Sequence, residues 1–128
     1  AIRVLRKPNG GQASAFNCGF EHARGEVIAL LDADDVWLPE KLGRVYEEFE
    51  RNPDAGMIYH RMYLWSGAKE TSDDSYFVAV SGRVPESRSA LLQYPMVGTS
   101  CLAFRRAALE KLMPAPETLR SQADAYMK

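Results

Sequence analysis

The stretch Val27-Ile28-Ala29-Leu30-Leu31-Asp32-Ala33-Asp34-Asp35 decides how this chain is read. Five apolar residues run straight into three carboxylates within four positions. An apolar run this short, bounded by Gly25 and an acidic cluster, predicts a buried parallel strand. Carboxylates do not follow such a strand for packing reasons, because buried ones must be paired or bind a metal. In open α/β sheets, ligands bind just past the carboxyl ends of strands. Oxygen-only donor sets suit hard cations, and Mg²⁺ or Mn²⁺ is commonly held by one or two carboxylates together with phosphate oxygens. The stretch therefore predicts a divalent cation and a phosphorylated ligand at a strand tip.

Upstream, Ile2 and Val4 alternate with Arg3, which predicts a short strand over residues 1–6. Pro8-Asn9-Gly10-Gly11 is a turn signal. A helix is expected from about Ala13 to Ala23, with Phe16, Phe20 and Ala23 on one stripe and Gly25 as its stop. Downstream, Pro39-Glu40 suits a helix start. Leu42, Val45, Tyr46 and Phe49 follow at helical spacing and predict a core stripe. Asn52-Pro53 ends that helix. Met57–Trp65 reads as one strand, residues 66–75 as a loop and Tyr76–Val80 as another strand. Ser87–Gln93 reads as a short helix broken by Tyr94-Pro95. Ser100–Phe104 predicts a strand, Arg106–Leu112 a helix, Pro114–Pro116 a stiff loop and Glu117–Lys128 a last helix.

The 128 residues make one domain or part of one, with 46% apolar and 26% charged residues and a net charge of −1. That charge balance, without a basic face, argues against a nucleic-acid partner. Cys18 and Cys101 form neither a disulfide framework nor a zinc site, and both read as buried thiols. No apolar stretch approaches the ~20 residues that span a bilayer. Ala1–Leu5 does not read as a signal peptide, so the expected location is the cytoplasm or the inner face of the membrane.

Three segments together resemble the family 2 glycosyltransferases: Asn9-Gly10-Gly11-Gln12-Ala13-Ser14-Ala15-Phe16-Asn17, Gly25-Glu26-Val27-Ile28, and Leu31-Asp32-Ala33-Asp34-Asp35-Val36-Trp37-Leu38-Pro39. The likeness is close over residues 7–45 and looser beyond, where Ser100–Leu109 looks like a later strand of the family with its Phe-Arg-Arg. The resemblance implies a GT-A fold, a Rossmann-like three-layer α/β/α sandwich, and inverting sugar transfer from a nucleotide-diphosphate donor. It further implies that residues 1–128 are a single partial catalytic domain, incomplete at the N-terminus, without the expected first-strand Asp. The non-enzymatic alternative is an inactive fragment that self-associates as a homodimer through sheet edges beside Ile2–Leu5.

The resemblance places Asp32, Asp34 and Asp35 on the metal and the ribose-diphosphate, and Gln12 and Asn17 beside the nucleotide. It makes Asp124 the general base. Ala123 stands where the family has an acidic residue before it, so Glu117 is kept as a weaker alternative. Mn²⁺ or Mg²⁺ is the implied cofactor. A glycan or lipid-linked acceptor is the implied second substrate, in cell-surface polysaccharide or glycan synthesis. In such a reaction Asp34 or Asp35 holds the metal, Asp32 braces the ribose or a water on the metal, and a carboxylate takes the acceptor proton. Trp37 either stacks on a sugar or packs. Asn17 either serves the site or caps locally. His22 and His60 have no second ligand at metal spacing, and Arg105 and Arg106 read as helix-start charges rather than phosphate contacts.

Leu31-Asp32-Ala33-Asp34-Asp35-Val36 also satisfies the spelling of a haloacid-dehalogenase-type phosphotransferase, with Asp32 as nucleophile and Asp34 as acid/base. The later Lys and Gly-Asp pair of that class are not evident. A calcium loop fails on spacing, since Val36 and Leu38 stand where an oxygen ligand and a glycine are needed.

Overall fold

In a computed structural model of the chain, residues 2–60, 62, 64–65, 70–71, 98–121 and 123 are described. The elements in order are α1 (Gly11–His22), β1 (Val27–Ala29), α2 (Lys41–Arg51), β2 (Met57–Tyr59), β3 (Leu64–Trp65), β4 (Glu70–Thr71), a 3-10 turn (Thr99–Cys101), β5 (Leu102–Arg105) and α3 (Arg106–Leu109).

The central sheet has the order β1-β5-β2, and β3 with β4 forms a separate antiparallel pair. β5 runs antiparallel to both of its neighbours. This corrects the expectation of a parallel pairing for Val27–Ala29. A short apolar run specifies burial on both faces but not direction. Direction is set by the segment that pairs with it, here β5, which arrives late in the chain. β1 and β2 point the same way only because each is antiparallel to the strand between them.

The register aligns Ile28, Phe104 and Met57 across the sheet, and Ala29, Ala103 and Ile58 one step on. Side chains alternate along a strand, so each row faces one side. On one face Leu102 and Phe104, with Cys101 and Leu109, pack against Phe16 and Phe20 of α1 and against Ile28, Leu30, Met57 and Tyr59. On the other, Ala103 lies under Val45 and Phe49 of α2, with Val27, Ala29 and Ile58 around them. Helix, sheet and helix thus form three layers, as expected of the α/β class. Leu102, Phe104, Leu109 and Phe49 retain almost no surface, and burying side chains of this size contributes about 1.5–3 kcal/mol each.

The stripe expected on α2 is only half core. Val45 and Phe49 are buried, but Leu42 and Tyr46 are more than half exposed and Lys41 is buried instead. The buried face is rotated because Lys41 turns inward at the helix start. Residues 2–10 form no strand, and Ile2 and Val4 project into solvent. Alternation alone cannot make a strand without a ladder partner, and none pairs with them among the described residues. Among the described residues the outer strands of the central sheet are β1 and β2, and Ile2–Leu5 takes no part in it.

Met57–Trp65 is not one strand, because β2 ends at Tyr59 and β3 pairs with β4 inside the expected loop. The helix after β5 stops at Leu109 and continues as turns. Glu117–Ser121 is turn and bend rather than helix, since its carbonyls are drawn to the start of α1. Cys18 is only half-buried, whereas Cys101 is buried. The expectations for Tyr76–Val80, Ser87–Gln93 and Tyr94-Pro95 lie outside the described residues.

Helix α1 begins two residues earlier than expected, at a glycine that the backbone requires. Gly11 has φ +82°, and a Cβ there would lie 2.7 Å from Cα of Arg120. The Gly11 N–H donates to Oδ1 of Asn9 at 3.0 Å. The Gln12 and Ala13 N–H groups donate to the carbonyls of Arg120 and Leu119 at 3.1 and 3.3 Å. The chain itself therefore caps the first turn of α1, and Ala13, Ala115 and Ala123 close the seam with their small side chains.

Candidate functional site

The acidic residues leave β1 in a turn. The Asp35 N–H donates to the carbonyl of Asp32 at 3.3 Å, closing residues 32–35. Asp32 is half-buried, and Asp34 and Asp35 are exposed. The turn is fastened from beneath by the segment that enters β5. The Leu30 N–H donates to the carbonyl of Leu102 at 3.1 Å, which carries the pairing one step past β1. The Asp32 N–H then donates to Oγ of Ser100 at 2.8 Å.

Ser100 is the hub of this arrangement. It is buried in the 3-10 turn, and its carbonyl accepts from the indole N–H of Trp37 at 3.2 Å and from the ammonium of Lys41. That ammonium also sits 3.8 Å from the centroid of the Trp37 ring, a cation–π contact. Burial pushes the Lys41 pKa below the ordinary lysine value, and the nearby Cys101 and Asp35 act in the opposite direction. Three backbone or side-chain donors, at positions 32, 37 and 41, thus converge on one residue.

The donor set of the turn is all oxygen, which suits Mg²⁺ or Mn²⁺. Among the described residues, no group of three or more His, Cys, Asp or Glu is arranged to hold a metal ion. The turn is therefore not an all-protein cage. A cation that shares its shell between one or two carboxylates, water and phosphate oxygens needs no such cage. The exposed Asp34 and Asp35 fit that mode.

Gln12 lies between two parts of the chain. Its Oε1 accepts from the N–H of Ala123 at 2.7 Å, and its Nε2 donates to Oγ1 of Thr99 at 3.5 Å. It thus links the turn under the aspartates to the residue before Asp124, which itself lies outside the described residues. Asn17 is buried, with its Nδ2 donating to the carbonyl of Ala115 at 2.9 Å and its Oδ1 accepting from the N–H of Ala115 at 2.7 Å. The carboxamide copies a backbone ladder and locks the proline-flanked loop onto α1. Glu117 accepts from the hydroxyl of Ser14 at 3.3 Å.

Arg105 donates to the carbonyls of Phe49 and Ala55 at 2.6 and 3.1 Å and lies over the Phe49 ring, closing the C-terminal end of α2. Arg106 donates to the carbonyl of Gly25 at 3.0 Å over the ring of Phe20. His22 is exposed and His60 half-buried. The sequence reading missed Ser100 and Lys41. A lysine at a helix start reads as a solvated charge, and a serine ahead of a strand carries no signal beyond its small size.

A family model described as Glycosyl transferase family 2 matches residues 1–113. An uncharacterized glycosyltransferase of Nostoc sp. is 40% identical over 119 residues, covering 88% of this chain and 36% of its own length. An uncharacterized protein of Mycobacterium tuberculosis is 33% identical over 115 residues, covering 88% of this chain and 32% of its own. The succinoglycan biosynthesis protein ExoW of Rhizobium meliloti is 42% identical over 52 residues, covering 39% of this chain and 16% of its own. The chain spans about a third of the length of the first two relatives. No solved structure matches it. The family match takes in both sheet-covering helices, the aspartate turn and β5, and the chain belongs to glycosyl transferase family 2, with the GT-A fold of that family.

Proposed function

We propose that this chain carries the donor-diphosphate part of a metal-dependent, inverting glycosyltransferase site. The observation that supports the reading is the aspartate turn at the end of β1, anchored through Ser100 with Asp34 and Asp35 turned to solvent. Asp34 and Asp35 would hold Mn²⁺ or Mg²⁺ beside the diphosphate, and Asp32 would brace the ribose. When bound, the cation supplies Lewis acidity that neutralises the charge developing on the leaving nucleoside diphosphate. Asp124 would take the proton of the acceptor hydroxyl as it attacks the anomeric carbon. Gln12 ties the Thr99 and Ala123 segments together and so would hold the spacing between these two functions.

Asn17 serves the fold in this reading, since both of its polar atoms are taken by Ala115. Glu117 is the weaker base candidate, held by Ser14. The phosphotransferase reading is dropped, because the family match runs through Asp32–Asp35. The likeness to a succinoglycan biosynthesis protein favours an acceptor in polysaccharide or glycan assembly, free or lipid-linked. Among the described residues no helix is long and apolar enough to cross a membrane, and the proposed place of action is the cytoplasm or the inner membrane face. Pairing of two copies through the edges of β1 or β2 is the proposed mode of any self-association.

Calorimetry with a panel of UDP-, GDP- and dTDP-sugars, with and without Mn²⁺, tests the reading. One donor class is expected to bind only with the cation, and Asp34→Asn with Asp35→Asn is expected to abolish that dependence. Binding that ignores both the cation and these substitutions would refute it.

A further inference from the structure

Lys41 is the one buried lysine among the described residues, and the fold alone gives no reason for it. Burying an ammonium is costly unless it is paired. Among the described residues, no carboxylate forms a salt bridge with Lys41. Its direct contacts are the Ser100 carbonyl and the face of Trp37, and the charges of Cys101 and Asp35 act on it from nearby without outweighing its burial. A methionine would fill the same space without that cost, because its unbranched stem packs as readily.

The charge has a purpose if it holds something that an apolar side chain could not. The Ser100 carbonyl that Lys41 grips belongs to the residue whose hydroxyl receives the Asp32 N–H. The ring beneath the ammonium belongs to Trp37, which follows the turn and bonds the same carbonyl. Lys41 therefore clamps the entry of the aspartate turn, through Ser100, to its exit, through Trp37.

We propose that Lys41 is a positioning residue, whose ammonium locks Trp37 and Ser100 together so that the turn presents Asp34 and Asp35 in one fixed orientation. This rests on the reading of the turn as the seat of a cation and a diphosphate. The contacts of Lys41 run to Ser100 and Trp37, not to the Asp34 or Asp35 carboxylates. Lys41 works as the partners of metal ligands do, by restricting the geometry those ligands can adopt.

The test is Mn²⁺ binding by the full chain in the presence of inorganic pyrophosphate, followed by electron paramagnetic resonance well below the melting temperature. Lys41→Met keeps the stem and removes the charge. It is expected to weaken pyrophosphate-dependent Mn²⁺ binding by about tenfold or more, the usual effect of losing a group that orients a metal ligand. Lys41→Arg, which can both lie on the ring and donate to the carbonyl, is expected to restore most of it. A folded Lys41→Met protein that binds like the parent overturns the proposal, as does a Lys41→Arg protein as weak as Lys41→Met.

Should Lys41→Met fail to fold, Trp37→Leu removes the ring from under the ammonium at a half-exposed position. It too is expected to weaken binding, and unchanged binding overturns the proposal. Failure of the underlying reading looks different. The parent chain would then show no pyrophosphate-dependent Mn²⁺ binding, or binding indifferent to Asp34→Asn with Asp35→Asn, and the positioning role would fall with it.

Discussion

Replacing Asn17 with alanine separates a structural role from a nucleotide-binding one. Ala115 is 2% exposed, so water does not reach its backbone in the native chain. Both its N–H and its carbonyl are satisfied by the Asn17 carboxamide, at 2.7 and 2.9 Å. Asn17→Ala strands both groups, and each buried, unsatisfied polar group costs about 1–3 kcal/mol. A water entering the vacated space recovers part of this. The net loss expected is about 2–5 kcal/mol, a large share of the ~5–15 kcal/mol that stabilises an ordinary domain.

Urea unfolding followed by tryptophan fluorescence is the assay. With a slope of about 2 kcal/mol per molar, mid-range for a small protein in urea, the midpoint should fall by roughly 1–2.5 M. Asn17→Asp is the informative companion. It keeps an acceptor for the Ala115 N–H but sets a carboxylate against the Ala115 carbonyl, so it too should destabilise. A midpoint unchanged in Asn17→Ala, accompanied by weaker donor binding, would refute the structural assignment.

Gly11→Ala should lower the melting temperature, because left-handed backbone costs a β-carbon-bearing residue about 1–2 kcal/mol and the new carbon meets the Arg120 backbone. Calorimetric melting that matches the parent would contradict that geometry. Ser100→Ala removes the acceptor of the Asp32 N–H. It should cost about 1–3 kcal/mol in denaturant unfolding and loosen cation-dependent donor binding, whereas a purely structural Ser100 would change only the first. Lys41 predicts a pH effect whose sign follows from burial. Its folded pKa lies below 10.5, so between that lowered value and 10.5 the unfolded chain binds more protons and stability rises with pH. Lys41→Met should remove that rise, and equal slopes in the two proteins would contradict the assignment.

The parts of the fold legible in the sequence were those carried by local chemistry. Pro39-Glu40 and Asn52-Pro53 bracket α2 closely, and Phe16 with Phe20 correctly places α1 against the sheet. What escaped was carried by distant pairings. The direction of β1 depends on β5, and the length of β2 depends on where its partner stops. Residues 2–6 have the alternation of a strand but nothing to pair with among the described residues. The site divides in the same way. Asp32, Asp34 and Asp35 stand out because carboxylates after an apolar run need a reason. Ser100 and Lys41, which hold the turn from below, look like an ordinary serine and an ordinary surface lysine until the chain folds. Asn17 drew notice through the family resemblance, as a residue beside the nucleotide, and its partner, the Ala115 backbone, is invisible in any sequence pattern.

The aspartate turn is proposed to seat a divalent cation against a diphosphate. The most direct measurement is an anomalous difference map from crystals grown with Mn²⁺ and a nucleoside diphosphate. A manganese peak beside the Asp34 or Asp35 carboxylate, sharing the ion with diphosphate oxygens, is the predicted result. A diphosphate bound away from the turn, or a peak that leaves both carboxylates in solvent, would contradict it.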